Sequence, residues 1–293
     1  MSVMDDPAAP AHGLSARQMA LYRFRRNPLA VIGALIVISV ILAAIFAPWI
    51  APSPESAGSF VDFRNRHSPP NWQNLMGTDN VGRDVFSRVI FGYRVSLGLV
   101  VWVLGVAVPF GIVLGLCAGY FGGWTETIIM RFTDIMLALP PLAMALAITA
   151  VLSPNLINAM IAITLLWWTW HTRLIYRIVK GQMNEDYVEA ARVAGASHMH
   201  ILFRELLPNC FSAVAVKISL DAGFVILFGA SLSFLGLGVQ PPTPDLGTMV
   251  ATGSEYLPEM WWQAVMPGLA ILYAILGFNL LGDGLRDMLD VEL

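Results

Sequence analysis

The residue types that usually carry chemistry are sparse in this chain of 293 residues, and their spacing fits few reactions. Its two lysines, Lys180 and Lys217, do not complete a GxxxxGK[ST] loop, so the chain has no such loop to cradle the phosphates of ATP. An intramembrane hydrolase would need a nucleophile and a base. Ser231, Ser233 and His171 are available, but the sequence around Ser231 lacks a G-x-S-G motif. We therefore predict that the chain is not an enzyme and binds no cofactor itself.

Metal-ligating residues are equally scattered. His198 and His200 are two positions apart and would point to different faces of a helix. Cys117 and Cys210 lie far apart and form no paired metal motif. His171, beside a tryptophan, is predicted to lie at an inner membrane interface. The sequence therefore predicts no metal site.

The elements that hold these residues must be apolar. Hydrophobic residues make up 57% of the chain and charged residues 13%, whereas about 25% charged is usual. This balance leaves too few polar residues to coat a soluble domain, and it excludes a disordered chain. The net charge is −3 and the basic residues are spread thinly, so no nucleic-acid partner is indicated. The sequence favours a bilayer protein.

A bilayer core about 30 Å thick is crossed by a helix of about 20 apolar residues, because lipid offers no hydrogen-bond partner to an open backbone. Six stretches approach this length. Residues 1–28 form a polar N-terminal arm, and the apolar run behind them is longer than a cleavable signal core, so it is predicted to be a retained first span. The fold class is therefore an all-α polytopic membrane protein with six transmembrane helices. The predicted stretches are 29–50, 95–116, 135–152, 156–170, 222–239 and 261–281.

The basic residues predict the orientation of these helices. With the N-terminus inside, eleven basic residues lie in inner segments and five lie outside, all five in loop 51–94. Lysine and arginine are retained on the cytoplasmic side, so both termini are predicted to be cytoplasmic.

Two outer loops and one inner loop remain. In loop 51–94, Asp79 or Asn80 is predicted to cap a short helix whose Val85, Val89 and Gly92 side faces the membrane. The second outer loop, 240–260, contains four prolines that stiffen it.

The inner loop is predicted to form an elbow of two short helices, residues 184–208. Asn184 or Asp186 starts the first helix and Gly195 ends it; Ser197 caps the second and Pro208 stops it. Small residues on one face of the first helix would give a shallow surface for another protein. Packing of the loop on its own membrane helices is an equally good interpretation of this spacing. The face consists of Tyr187, Ala190, Ala191 and Ala194.

Ionisable residues at membrane depth are candidates for function. Lys217 and Asp221 are four apart, which favours mutual neutralisation over pathway lining, and Arg131 and Asp134 are three apart, which favours a structural ion pair or interface anchor. The Pro140-Pro141 break either frees carbonyls toward a water-filled route or only bends the helix. The candidate pathway or gating residues are Asp134, Pro140, Pro141, Lys217 and Asp221.

Glu189-Ala190-Ala191, with Gly195 four positions after Ala191 and Leu207-Pro208 beyond it, resembles the EAA loop of permease subunits in ABC importers. The family usually has an isoleucine where this chain has Glu205. Other segments resemble the second permease subunit of dipeptide, oligopeptide and nickel importers, and the likeness covers nearly everything after residue 20. They are GTDNVGRDVFSR, GYFGGW with RFTDIMLALP, LSFLGLGVQPPTPDLGTM and PGLAILYAILGFNLLGDGLRDMLD.

The resemblance implies a type I ABC importer permease fold in a bacterial inner membrane, with residues 95–293 as the permease core. It implies a heterodimer with a second permease, two ATP-binding subunits that carry ATP and Mg²⁺, and an extracytoplasmic solute-binding protein. The solute would be a di- or oligopeptide, with nickel, glutathione or opine-like compounds as alternatives. A stand-alone ion-coupled carrier or channel remains a less favoured alternative, since no internal repeat is visible.

The resemblance also implies which residues meet the partners. The cytoplasmic loop 180–208 would couple to the ATPase through Tyr187, Glu189, Ala190, Ala191, Ala194, Gly195, Ala196, Ser197 and Pro208. The outer loops would contact the binding protein through Asp79, Arg83, Asp84, Gln240, Pro241 and Pro242.

Overall fold

The computed structural model describes residues 22–289, and no strand forms within them apart from an isolated bridge between Thr78 and Asp84. Most of the predicted N-terminal arm, up to residue 21, and the last four residues lie outside the described part. The longer helices are α1 (Pro28–Ile45), α2 (Val85–Phe121), α3 (Gly123–Ala138), α4 (Pro141–Leu152), α5 (Leu156–Gln182), α6 (Asp186–Val193), α7 (Leu207–Phe234), α8 (Leu246–Ser254) and α9 (Trp262–Leu289), and short helices lie at Ala47–Ile50 and His198–His200.

In the described part of the chain, four helical segments are long and apolar enough to cross a membrane: Pro28–Ile45, Val85–Phe121, His198–Phe234 and Trp262–Leu289. The predicted third stretch, 135–152, is a broken one, because α3 and α4 meet at an angle of 88°. The two together count as a fifth candidate. The predicted fourth stretch, 156–170, is the first part of α5, whose remainder carries several charges.

The start of α2 differs from the prediction. Asp84 is the N-cap and accepts a hydrogen bond from the Ser87 N–H, whereas Asp79 and Asn80 lie further upstream. The helix is 37 residues long rather than short. Val85 and Val89 are 1% and 3% exposed, so they face the protein core and not the membrane. The prediction that this side of the helix faces the membrane is therefore wrong, because the start of α2 is surrounded by protein.

Pro208 does not stop the second helix of the elbow, contrary to prediction. A π-helical segment, Ile201–Leu206, leads directly into α7, and Pro208 lies in the first turn of that helix. Proline is tolerated in a first helical turn, where its missing N–H is not needed, and the wider π turn supplies the local adjustment. The elbow is thus continuous with a membrane-crossing helix.

Glycines bring α2 and α5 into backbone contact. A Cβ atom on Gly111 would lie 2.6 Å from the carbonyl oxygen of Trp168, and one on Gly115 would lie 2.6 Å from the Cβ of Ile175. Further along, a Cβ on Gly119 would lie 2.7 Å from Val179. These distances are too short for any side chain, and small residues allow such close approach of membrane helices. The α2–α5 seam, as we call this contact, therefore depends on the three glycines.

Helix α9 lies between α1 and α7. A Cβ on Gly33 of α1 would lie 2.5 Å from the backbone nitrogen of Leu281, so α1 also packs closely on α9. On the other side, the Ser219 hydroxyl of α7 donates a hydrogen bond of 3.1 Å to the Phe278 carbonyl of α9. The first predicted membrane helix is therefore an integral part of the bundle.

We predict that Gly115→Ala destabilises the protein, since the added methyl group would overlap Ile175 and the Thr172 carbonyl oxygen. Overpacking of this kind costs about 1–3 kcal/mol. Gly105→Ala is the matched control: it adds the same methyl group to the same helix, with no atom within 4 Å of the new Cβ. Denaturation midpoints in mixed micelles measure both. Equal midpoints for the two variants would contradict the close seam.

Candidate functional site

The elbow has the local structure that its sequence predicts at its bend. Helix α6 ends where the Ala196 N–H donates to the Ala191 carbonyl at 3.0 Å, and Gly195 has a φ of 76°. This left-handed conformation is accessible to glycine without strain. Ser197 caps the next helix, as predicted, by accepting from the His200 N–H at 3.3 Å. A bend of fixed shape therefore separates α6 from the segment that continues into α7.

Helix α6 begins at Asp186, one of its two predicted starts. Its N-cap is Glu185, which makes no side-chain capping bond. Asp186 and Glu189 lie in the first turn, where the positive end of the helix dipole favours acidic side chains.

The elbow is anchored to the end of α2. The Tyr120 hydroxyl and the His198 Nδ1 are 2.7 Å apart, and the Arg192 guanidinium lies 5.8 Å from the centre of the Tyr120 ring. Val188 of α6 is fully buried, as are Ile201 and Leu206 of the π segment. The interpretation that the loop packs on its own membrane helices therefore holds for one side of α6, and the other side is exposed.

The exposed side presents small and apolar residues. Glu189, Ala190, Ala194 and Gly195 are exposed, whereas Ala191 and Ala196 are partly buried against the core and Tyr187 is partly buried. Asn209 donates a hydrogen bond of 3.2 Å to the Tyr187 hydroxyl, and burial raises the pKa of this tyrosine. Sequence reasoning missed three exposed apolar side chains, although apolar residues in a polar loop are a usable signal. They are Val193, Met199 and Phe203, which are 83%, 64% and 44% exposed.

Glu205, at the position where an isoleucine was expected from the resemblance, is partly exposed and lies 3.4 Å from the Nε2 of His200. Its backbone carbonyl accepts a hydrogen bond from Asn209 at 2.8 Å. The carboxylate therefore stays at the surface of the elbow, and the buried side of the segment is supplied by Ile201, Leu202 and Leu206.

Three ionisable residues meet in the helix bundle. Lys217 and Asp221 of α7 form an ion pair, as their spacing predicted. The other carboxylate oxygen of Asp221 lies 3.4 Å from the Nε2 of His171 on α5. His171 is fully buried and faces Gly111 across the α2–α5 seam. Asp221 and His171 are buried and Lys217 is partly exposed. The buried triad, as we name these three residues after its two buried members, joins α5 to α7.

The predicted pair of Arg131 and Asp134 does not form. Asp134 of α3 pairs with Arg173 of α5 instead. The two helices are joined a second time by Lys180, whose Nζ lies 2.7 Å from an oxygen of Glu126. The acidic residues of α3 therefore pair with α5 and not within α3. This is possible because the second half of α5, which carries the basic residues, lies beside α3. Pro140 is exposed and Pro141 is partly buried at the 88° bend.

The two outer loops meet around a buried arginine. Arg88 donates hydrogen bonds to the carbonyls of Ser56 at 2.9 Å and of Pro242 at 3.3 Å. Its Nε lies 3.8 Å from Asp79, which also pairs with Arg83 at 2.7 Å. Sequence reasoning missed Arg88, although an arginine four positions beyond Asp84 and inside a largely apolar helix was a signal.

Five of the six outer candidates line a cavity or are exposed, and the sixth, Asp84, is buried. Asp79 and Arg83 line a small cavity together with Pro241, while Gln240, Pro241 and Pro242 are exposed. Asp84 is 3% exposed and serves as the α2 cap, so its carboxylate is not presented at a surface. Burial raises the pKa of Asp84.

No group of three or more metal-ligating side chains occurs in residues 22–289. The predicted site residues therefore lie in three places: an elbow with one exposed side, a triad in the helix bundle and a joined pair of loops.

Two family models match this chain, one over its N-terminal part and one over its C-terminal part. A family model described as binding-protein-dependent transport system inner membrane component matches residues 111–292. A second model, the N-terminal TM domain of oligopeptide transport permease C, matches residues 15–70.

Curated relatives match over most of their length. The di/tripeptide transport system permease protein DppC of Pseudomonas aeruginosa is 44% identical over 276 residues, covering 92% of this chain and 90% of the relative. The dipeptide transport system permease protein DppC of Escherichia coli K12 is 46% identical over 276 residues, covering 92% of this chain and 91% of the relative. Among solved structures, an inward-facing MetNI methionine ABC transporter matches 69% of this chain and 96% of its own, with a TM-score of 0.48 and 19% identity.

The buried triad predicts a non-additive pair of substitutions. Asp221→Asn removes the carboxylate between Lys217 and His171, and breaking a buried pair by removing one partner costs about 3–5 kcal/mol. Lys217→Met combined with Asp221→Asn leaves no unpaired charge, so the double variant should recover much of that loss. Denaturation midpoints of the single and double variants measure the coupling.

Uptake measured on the same variants separates the two predicted roles of this pair. If mutual neutralisation is its role, the double variant regains transport together with stability. A stable double variant without transport would instead place the pair in the pathway or gate, and purely additive losses of stability would contradict the coupling itself.

Proposed function

Since the chain belongs to the family of binding-protein-dependent transport system inner membrane components, we propose that it forms half of a heterodimeric pore for di- or oligopeptides. The observation that carries the choice of solute is the identity of 44–46% to permeases named for di- and tripeptide or dipeptide transport. The family is one of transport permeases, so the chain itself performs translocation and not catalysis.

The proposed assembly contains a second, homologous permease, two ATP-binding subunits and an extracytoplasmic solute-binding protein in a bacterial inner membrane. Energy enters on the ATP-binding subunits with ATP and Mg²⁺, because this chain has no GxxxxGK[ST] loop. In the proposed topology six segments cross the membrane, with α3 and α4 as one broken crossing and α5 as another, and both termini are cytoplasmic.

We assign ATPase docking to the exposed side of the elbow. Ala190, Ala194 and Gly195 provide a shallow surface that a groove can approach closely, and Glu189 adds a charge at its edge. Val193 and Met199 add apolar area that a partner would cover. Of the remaining predicted residues, Tyr187, Ala191 and Ala196 are partly buried behind this surface, whereas Ser197 and Pro208 are exposed beyond it.

The elbow has two rigid connections to the membrane helices. His198 contacts Tyr120 at the end of α2, and the π segment continues without interruption into α7. The buried triad then ties α7 to α5, so a displacement of the elbow would move these helices together. Partner binding would bias such a unit between inward and outward access, as two-state elements are biased by ligands.

The candidate gating residues are proposed to act through their ion pairs. Asp134 and Arg173 join α3 to α5, while Pro140 and Pro141 allow the chain to bend between α3 and α4. Exchange of such pairs between two arrangements is a common way to switch packed helices.

The binding protein is proposed to dock on the outer loops at Asp79, Arg83, Gln240, Pro241 and Pro242. Arg88 holds the two loops together from below through the Pro242 carbonyl, so docking on one loop would reach α2 directly. Asp84 is left out of this surface because its carboxylate caps α2.

We predict that Glu189→Arg and Gly195→Asp abolish uptake while the protein still inserts. The first reverses a charge at the docking surface, and the second adds a charge at a residue with a φ of 76°. Asp283→Arg is a control that reverses an exposed acidic residue of α9, outside the elbow. Uptake, membrane level and recovery of ATP-binding subunits with the purified permease are measured for all three. Normal ATP-driven uptake in both elbow variants would contradict the docking assignment.

We predict that a peptide-loaded binding protein stimulates the ATPase activity of the reconstituted complex. In this experiment, binding proteins encoded near this permease are loaded with dipeptides, tripeptides, nickel, glutathione or opine-like compounds, and the ATPase activity is compared between solutes. Stimulation by a non-peptide solute alone would reassign the cargo. Uptake that is abolished by an ionophore while ATP is maintained, in a preparation without ATP-binding subunits, would favour an ion-coupled carrier.

A further inference from the structure

An apolar groove with a cationic end lies between α1 and α2. It has a volume of about 590 Å³. Apart from Arg94, its lining is apolar: Ile41, Ala44 and Ile45 from α1, and Leu97, Gly98, Val101, Trp102, Gly105 and Val106 from α2. A Cβ atom on Gly98 or Gly105 would meet no atom within 4 Å, so these two glycines leave open space in the groove.

The groove has the length of one bilayer leaflet. From Arg94 to Val106 the α2 axis advances roughly 18 Å, and half of a bilayer core is about 15 Å. Arg94 directly precedes the uncharged stretch 95–116, so it lies where that stretch leaves the hydrocarbon. This placement is independent of which side of the membrane the N-terminus occupies.

Arg94 is exposed and its guanidinium has no carboxylate partner among residues 22–289. Its recorded contact is with the Phe91 ring, whose centre is 6.0 Å away. The other arginines of this region, Arg83 and Arg88, share Asp79. A cation at a membrane boundary with a free fork of N–H donors is suited to a phosphate, which guanidinium groups bind in a bidentate manner.

We propose that this groove binds one anionic phospholipid, with an acyl chain along Gly98 and Gly105 and the headgroup phosphate on Arg94. The site goes beyond the proposed transport function and does not depend on the identity of the solute. The apolar length selects a lipid rather than a free phosphate, and Arg94 selects an anionic headgroup over a zwitterionic one.

The charge also decides against a protein occupant. A helix of a second subunit in this groove would need an acidic residue at the level of Arg94, within the first turn outside the hydrocarbon. An anionic lipid supplies this negative charge without any such sequence requirement, because its headgroup lies at the membrane boundary, the level of Arg94. Attraction of this kind contributes about 1 kcal/mol per basic residue near an anionic surface, which corresponds to roughly a fivefold change in affinity.

The test uses the full-length protein, purified in detergent with the subunits that accompany it. Native mass spectrometry measures binding of phosphatidylglycerol, phosphatidylethanolamine and glycerol phosphate, and a photoreactive phosphatidylglycerol identifies the contact residues. We expect phosphatidylglycerol to bind and to label α1 or α2 near Val101 and Trp102. Arg94→Gln should weaken phosphatidylglycerol roughly fivefold and phosphatidylethanolamine little.

Gly105→Leu fills the groove and should reduce binding of both lipids. Gly268→Leu is the matched control, since it adds the same side chain to α9 at a glycine with no atom within 4 Å of the new Cβ. Equal lipid binding in the Gly105 and Gly268 variants would overturn the proposal, as would equal affinity for glycerol phosphate and phosphatidylglycerol. Labelling of a second permease subunit from a photoreactive residue at position 101 would assign the groove to a protein contact and also overturn it.

Discussion

The close approach of α2 and α5 is the constraint on which the rest of the molecule depends. Because Gly111, Gly115 and Gly119 lack side chains, the two backbones touch over about two helical turns. One end of this seam sets His171 against Asp221, and the other brings Val179 against Gly119, which precedes Tyr120, the residue that contacts His198 of the elbow. A wider separation would leave the buried triad without its histidine and the elbow without its anchor.

Charge in this protein is used to join elements that the hydrophobic effect cannot hold together. Helices in lipid gain little from burying apolar surface against one another, so packing and polar contacts decide their arrangement. Asp134 with Arg173 and Glu126 with Lys180 both connect α5 to α3, and the buried triad connects α5 to α7. The outer loops follow the same rule, since Arg88 holds them through backbone carbonyls rather than through an apolar core.

How much of this could be predicted depended on the range of the interaction. The bend at Gly195 and the cap at Ser197 are local and were predicted, as was the Lys217–Asp221 pair on one helix. Three features were missed: the contact of His171 with Asp221, the pairing of Asp134 with Arg173, and the burial of Val85. Each of them depends on a helix distant in sequence. Pro208 was misjudged for another reason. Proline breaks a helix when it lies in the helix interior, but it is tolerated in a first turn. Only the preceding π segment reveals which of these two cases applies to Pro208.

The π segment Ile201–Leu206 fixes more than the continuity of the elbow with α7. A π turn accommodates one residue more than an α turn, and each residue of an α-helix corresponds to roughly 100° of rotation about the axis. The azimuth of α6 relative to α7 is therefore set by the number of residues between Ser197 and Pro208. Loss of a single residue there would aim the exposed face of α6 in another direction while leaving each of its side chains intact.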